Sequence, residues 1–325
     1  MTLSVLVCTH NPRTDYLARA LQALKEQDLP SSEWELLIID NASERPVREM
    51  CDVSWHPNSR HVREEKLGLV PARLRGIRES TGSVLLFVDD DNVLQTDYLR
   101  EALRIAREWP MLGVWGGHVE GVFEVEPSSE ALEYLWMLAV RDVATIQWSN
   151  ATFDNHAMPV GAGMCVRRPV ALKYAAAVTN SPYRQLLDRE GPGLVSGGDT
   201  DLALMACDAG LGVGIFPTLV VRHLISRHRV EPQYIIRLAE NIAYGQLLVK
   251  SVRAGFPPRI RFFDRIFTCY SILRHRGIRR AVIRAQWRGR VRVSQVKNSL
   301  FMDASHDQES AQKEFTIKTS LTEHT

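Results

Sequence analysis

The sequence is poor in the features that mark several protein classes. Its five cysteines, Cys8, Cys51, Cys165, Cys207 and Cys269, are odd in number and widely spread. None forms a Cys-x-x-Cys pair, which excludes a zinc ribbon, and the spread argues against a disulfide framework. Long apolar runs are missing too. The longest, Leu135 to Val140, falls far short of the ~20 residues a membrane span requires. The opening residues MTLSVLVCTHN carry neither a basic stretch nor a small-residue cleavage site, so no targeting segment is expected there. These absences together predict a cytoplasmic protein. No Gly-x-Gly-x-x-Gly follows the first apolar run, and no Gly-x-x-x-x-Gly-Lys-Ser/Thr occurs, so dinucleotide binding and a P-loop are both disfavoured. Internal repeats and low-complexity stretches are absent as well.

What remains is an ordinary folded chain of 325 residues, 45% hydrophobic and 24% charged, with a net charge of only +2. Its charge is uneven. Ser251 to Lys297 holds thirteen of the 40 basic residues and one acid, Asp264, of 38. The rest of the chain is therefore acidic. This asymmetry divides the chain into a body over 1–230, a helical basic region over 231–300, and a polar, disordered tail over 301–325.

The body alternates short apolar runs with amphipathic segments. Leu3–Cys8, Trp34–Ile39 and Val84–Val88 read as buried strands; Thr14–Gln27, Leu69–Glu79 and Asp97–Trp109 read as helices. That rhythm predicts an α/β fold with one mostly parallel sheet and helices on both faces. Ligands of such sheets sit beyond the carboxyl ends of the strands. Three of those ends are polar here: Thr9-His10-Asn11, Asp40-Asn41 and Asp89-Asp90-Asp91.

Three consecutive carboxylates repel one another unless a cation or several donors neutralise them. Hard oxygen ligands at a strand end suit Mg²⁺ or Mn²⁺ shared with a diphosphate; an acidic turn before a helix is the plain alternative. Strand alternation would put Asp89 and Asp91 on one side. A second acidic cluster, Ser196-Gly-Gly-Asp-Thr-Asp-Leu202, precedes a helix over Leu202–Ala209. It reads as a helix cap, or as a carboxylate held for general-base work. The large residues Trp136, Met137, Trp148 and Phe153 read as core, or as a groove for a sugar acceptor. Trp115-Gly-Gly-His118 reads as a strand end.

These motifs, in this order, resemble the inverting family 2 glycosyltransferases of GT-A fold. The resemblance covers about Leu3 to His228 and rests on Ser4–Pro12, Leu36–Ser43, Gly68–Gly76, Leu86–Asn92, Gly161–Met164 and Gly198–Leu202. It implies a Rossmann-like sheet and transfer of a sugar from a nucleotide-sugar, UDP foremost, to a glycan or glycolipid acceptor. Thr9, Asn11, Asp40, Arg73, Asp89 and Asp90 would bind the nucleotide-sugar. Asp91 and His223 would hold Mn²⁺ or Mg²⁺, although a lone histidine there reads equally as structural. Asp199 would be the catalytic base. The family places a glutamate before that aspartate, and this chain has Gly198. Surface-polysaccharide or glycolipid synthesis is the implied process. A nucleotidyltransferase of related fold and a catalytically degenerate scaffold are the alternatives.

The basic region interleaves arginines with Phe262, Phe263, Ile266, Phe267, Tyr270, Leu273, Ile283 and Trp287. It suits an anionic membrane surface, which would place the protein peripherally at the inner face of a membrane. It equally suits packing on the body or a second subunit. No nucleic-acid-binding motif accompanies it, so nucleic acid is not an expected partner.

Overall fold

The architecture was obtained as a computed structural model that describes residues 2–152, 155–191, 193–254 and 260–296. In chain order its strands and helices are β1 (Leu3–Thr9), α1 (Thr14–Lys25), β2 (Trp34–Asn41), β3 (Ser59–Glu64), α2 (Leu69–Glu79), β4 (Val84–Asp89), β5 (Asn92–Leu94), α3 (Tyr98–Glu108), β6 (Leu112–Phe123), α4 (Ser129–Leu132), β7 (Gln147–Ser149), β8 (Met164–Arg167), α5 (Arg168–Thr179), α6 (Gly198–Asp208), β9 (Gly212–Ile225), α7 (Pro232–Ala254), α8 (Phe262–Arg274) and α9 (Gly277–Ser294).

One sheet runs in the order β3-β2-β1-β4-β8-β6-β9-β5, with β7 added on β9. The first four strands are parallel. Beyond them the sheet is mixed. β8 runs antiparallel to β4 and β6, β5 and β7 run antiparallel to β9, and β6 and β9 are parallel. The parallel expectation thus holds where strand and helix alternate closely. It fails at β8, which enters antiparallel between β4 and β6, and at β5 and β7 on β9.

Side-chain alternation along the central strands divides the core. Leu3, Val5 and Val7 of β1 pack on one face with Leu17 of α1 and Leu99 and Leu103 of α3. Leu6 and Cys8 point the other way, with Ala72 and Ile77 of α2, Tyr174 of α5 and Leu202 of α6. Both faces are covered, which is why β1 reads as an unbroken apolar run.

The basic region is built onto this body. Ile235 and Leu238 of α7 share a cluster with Tyr134, Leu138 and Ile225, and Ile278 and Val282 of α9 join it. Asp201 of α6 is fully buried and receives Arg184 and, from α7, Arg253 at 3.4 Å. Removing one side of a buried ion pair leaves charge uncompensated and costs about 3–5 kcal/mol. Asp201→Ala should therefore destabilise the protein by about that amount in urea unfolding. The tail over 301–325 and Phe153 lie outside the described residues. Among the described residues, no helix is long and apolar enough to cross a membrane.

Candidate functional site

The carboxyl ends of β1, β2 and β4 open onto a cavity of about 520 Å³. Its wall includes Thr9, Arg73, the run Asp89-Asp90-Asp91, Asp199 and His223. Residues that the sequence separates by more than two hundred positions thus meet in one space.

Asp89 ends β4, and the run then leaves strand geometry: Asp90 and Asp91 form the turn into β5. Strand alternation therefore does not govern the orientation of Asp91. Instead β5 pairs antiparallel with β9, setting Asn92 opposite His223. Leu224 N–H donates to the Asp91 carbonyl at 2.8 Å. This pairing brings His223 Nε2 to 3.2 Å from Asp91 Oδ2, while its Nδ1 lies 2.8 Å from the Leu138 carbonyl. Arg229 Nη1 lies 2.8 Å from the same carboxylate oxygen and 3.1 Å from the imidazole. Burial works to raise the Asp91 carboxyl, but His223 and Arg229 outweigh it and hold it below the usual carboxylate range. Asp90 goes the other way. Burial and the Asp91 charge push it up to about 7, against the hydrogen bond donated by Thr9 Oγ1.

Asp91 and His223 form a donor pair already satisfied by a cation, the Arg229 guanidinium. A carboxylate and an imidazole are chemically suited to a divalent ion, which would have to displace Arg229 from the pair. Among the described residues no third histidine, cysteine or acid completes a metal-holding group. The other ligands would be phosphate oxygens and water, the usual habit of Mg²⁺ in nucleotide sites.

Asp199 lies in the first turn of α6, which begins at Gly198, four residues earlier than the sequence periodicity indicates. No side chain caps this helix. Asp199 instead pairs with Arg73 of α2, which also donates to Asp188 at 2.7 Å. Arg73 is 3% exposed and Asp188 4%, so one buried guanidinium serves two carboxylates. Burial lifts Asp188 to about 7, with Arg73 opposing.

The neighbouring glycines follow from this packing. A Cβ on Gly161 would collide with the Asp199 carboxylate, and one on Gly163 (φ +72°) with the Tyr98 hydroxyl. Tyr98 donates to the Gly163 carbonyl at 2.6 Å. A Cβ on Gly198 would collide with the Asp188 carboxylate. The space beside Gly198 is therefore filled by a carboxylate from another segment.

Two of the expected nucleotide contacts lie elsewhere. Asp40 is absent from the cavity wall: its carboxylate accepts from Ser43 N and Val47 N, both at 3.1 Å, and from Arg63 at 2.8 Å. Asn11 (φ +46°) is also off the wall and accepts from Glu44 N at 2.8 Å. Both brace the turns after β1 and β2. Asn41 takes the place beside the cavity. It accepts from Gly68 N at 2.8 Å and donates to the Lys66 carbonyl at 2.7 Å, fixing the start of α2 and hence Arg73.

Among the large residues, Met137 is buried and Trp136 half exposed, both on the cavity wall, whereas Trp148 is exposed on β7. Trp115-Gly-Gly-His118 lies within β6, away from the cavity, with Trp115 fully buried. Asp188 and Arg229 were not anticipated. Neither lies in a periodic segment, and Arg229 sits in a basic stretch, Arg227-His228-Arg229, that resembles solvated surface.

A sequence model of glycosyl transferase family 2 matches residues 4–170. The glycosyltransferase AglE of Haloferax volcanii is 24% identical over 260 residues, 78% of this chain and 71% of AglE. The poly(ribitol-phosphate) beta-N-acetylglucosaminyltransferase TarS of Staphylococcus aureus is 27% identical over 107 residues, 31% of this chain and 18% of TarS. In structure, residues 1–349 of S. aureus TarS superpose with a TM-score of 0.50 at 14% identity, covering 95% of this chain and 92% of that one. The superposition shows a shared fold of GT-A type, and the match over 4–170 takes in the strand ends and the aspartate run. This chain belongs to glycosyl transferase family 2 and is a glycosyltransferase.

Proposed function

We propose that this enzyme transfers a sugar, with inversion, from a nucleoside-diphosphate donor to a hydroxyl of a glycan or glycolipid. The observation that carries this is the shared cavity: the Asp199 carboxylate, held by Arg73, and the pair Asp91 and His223 line the same wall, and we assign the first to the proton and the second to the cation. UDP is the proposed nucleotide. The TarS fragment of the same fold is known in complex with UDP, superposing here with a TM-score of 0.50. Surface-polysaccharide or glycolipid assembly is the proposed setting.

The acceptor hydroxyl is a poor nucleophile at neutral pH. Asp199 takes its proton as it attacks the anomeric carbon opposite the departing diphosphate, and a single displacement inverts that carbon. Arg73 fixes the Asp199 carboxylate, and Asp188 fixes Arg73. Mn²⁺ or Mg²⁺, when bound at Asp91 and His223, supplies Lewis-acid stabilisation of the leaving phosphates. Arg229 lines the same cavity and would add a second positive charge there.

A melting panel of UDP, dTDP, GDP and CDP, each with and without Mn²⁺, tests the donor site. Ligand at about 100 times its dissociation constant adds about 2.7 kcal/mol, or several degrees in Tm. UDP with Mn²⁺ should give the largest rise, and Asp91→Asn should remove the Mn²⁺-dependent part. No rise with any nucleotide would overturn the reading.

A further inference from the structure

Helix α8 contributes no buried residue to the fold. It rests on α9, turning Thr268, Ser271, Ile272 and His275 inward, where each is partly covered. Its opposite face carries large apolar side chains at helical spacing. Phe263 is 78% exposed, Phe267 73% and Leu273 77%, and Phe262, Ile266 and Tyr270 complete the arc. At 100° per residue these six fall within about 140° of the helix circumference, opposite the packed side. Their exposure is costly in water, because apolar surface gains free energy when it is removed from it.

The charge around this arc favours one kind of partner. Ten arginines lie between Arg261 and Arg292, with Asp264 as the only acid. Among the described residues, only Arg288 and Arg292 find a carboxylate, that of Glu240. Arg261, Arg265, Arg276, Arg284 and Arg290 make no ion pair with any described residue. An exposed apolar arc, with Arg265 at its edge and further unpaired arginines on the adjoining α9, matches a surface that is oily below and negative above. A second copy of the same face would bring arginines against arginines.

We propose that α8 docks on an anionic lipid bilayer, its apolar arc sunk about 5–10 Å into the headgroup boundary and the flanking arginines against the phosphates. This contact does not depend on the donor or the metal. It holds the enzyme at a surface.

Flotation of the full chain with vesicles tests it. The vesicles are phosphatidylcholine alone, or phosphatidylcholine with about one third phosphatidylglycerol. The protein should float with the anionic vesicles only. Phe263→Ser with Phe267→Ser leaves net charge unchanged and alters exposed positions. It should lower that partition by about tenfold or more, while Tm and the nucleotide-induced rise in Tm stay as in the wild type. Three results would overturn the proposal. One is no flotation of the wild type at low salt. Another is undiminished flotation of the double variant, which would leave only electrostatic adsorption. The third is self-association in sedimentation velocity that the double variant abolishes while vesicle binding is absent, which would assign the face to a second copy.

Discussion

Asp199→Asn should lower kcat by about 10²–10⁴-fold while the nucleotide still binds. Asparagine keeps the size of the side chain and an oxygen for Arg73, so the pair that holds residue 199 in place persists in weakened form. What disappears is the capacity to accept a proton. The proposed donor contacts lie on other elements, at the ends of β1, β2 and β4 and on β9. Turnover with a nucleotide-sugar, measured beside the UDP-induced rise in Tm, separates the two effects. Loss of the Tm rise in the variant would remove Asp199 from the role of base and make it a donor-site residue.

The second large effect concerns Asp188. Its carboxylate lies where a side chain at position 198 would begin, and it shares Arg73 with Asp199. With Asp188 present, one arm of the guanidinium is engaged away from Asp199. With asparagine there the hold on that arm weakens, and Arg73 shifts toward Asp199, whose oxygens are the ones proposed to meet the acceptor proton. A misplacement of about 1 Å near reacting atoms can cost on the order of 10² in rate. Asp188→Asn should therefore reduce kcat on that order, with donor KM nearly unchanged. Gly198→Glu alone should destabilise the fold, because its side chain meets the buried Asp188 carboxylate. The exchange variant, Asp188→Gly with Gly198→Glu, should recover much of the lost kcat. The same exchange with Gly198→Gln should not. If kcat of Asp188→Asn stays within about twofold of the wild type, Asp188 is a packing residue and Arg73 needs no second partner.

The parts of this molecule that could be read in advance are those set by local chemistry. Helix α2 begins and ends where its sequence indicates, because Gly68 at φ +132° admits the turn before it and the pattern of Val70, Ala72 and Ile77 matches one buried face. Strands β1, β2 and β4 announce themselves through apolar runs that only a doubly covered sheet can use. The start of α6 was hidden. Gly198, Asp199, Thr200 and Asp201 are weak helix formers, and tertiary ion pairs to Arg73, Arg184 and Arg253 hold them in helical geometry. Asp188 and Arg229 were hidden for a related reason. Their partners lie 115 and 138 residues away, Arg73 and Asp91 respectively, and no periodicity reports such pairs. For Asp40 and Asn11 the motif located the strand ends correctly, but turn chemistry had already used their acceptors.

The attachment of α7 bears on how this protein can be cut and recombined. Ile242 and Gln246 of α7 form part of the cavity wall, and Arg253 near its end grips the helix that carries Asp199. All of the proposed catalytic and cation-binding residues lie before residue 230, yet a fragment ending there would lack one side of its own reaction chamber. Hybrids that graft a foreign C-terminal region onto this body should join after Ala254 rather than before Pro232, keeping α7 with the parent whose acceptor preference is wanted.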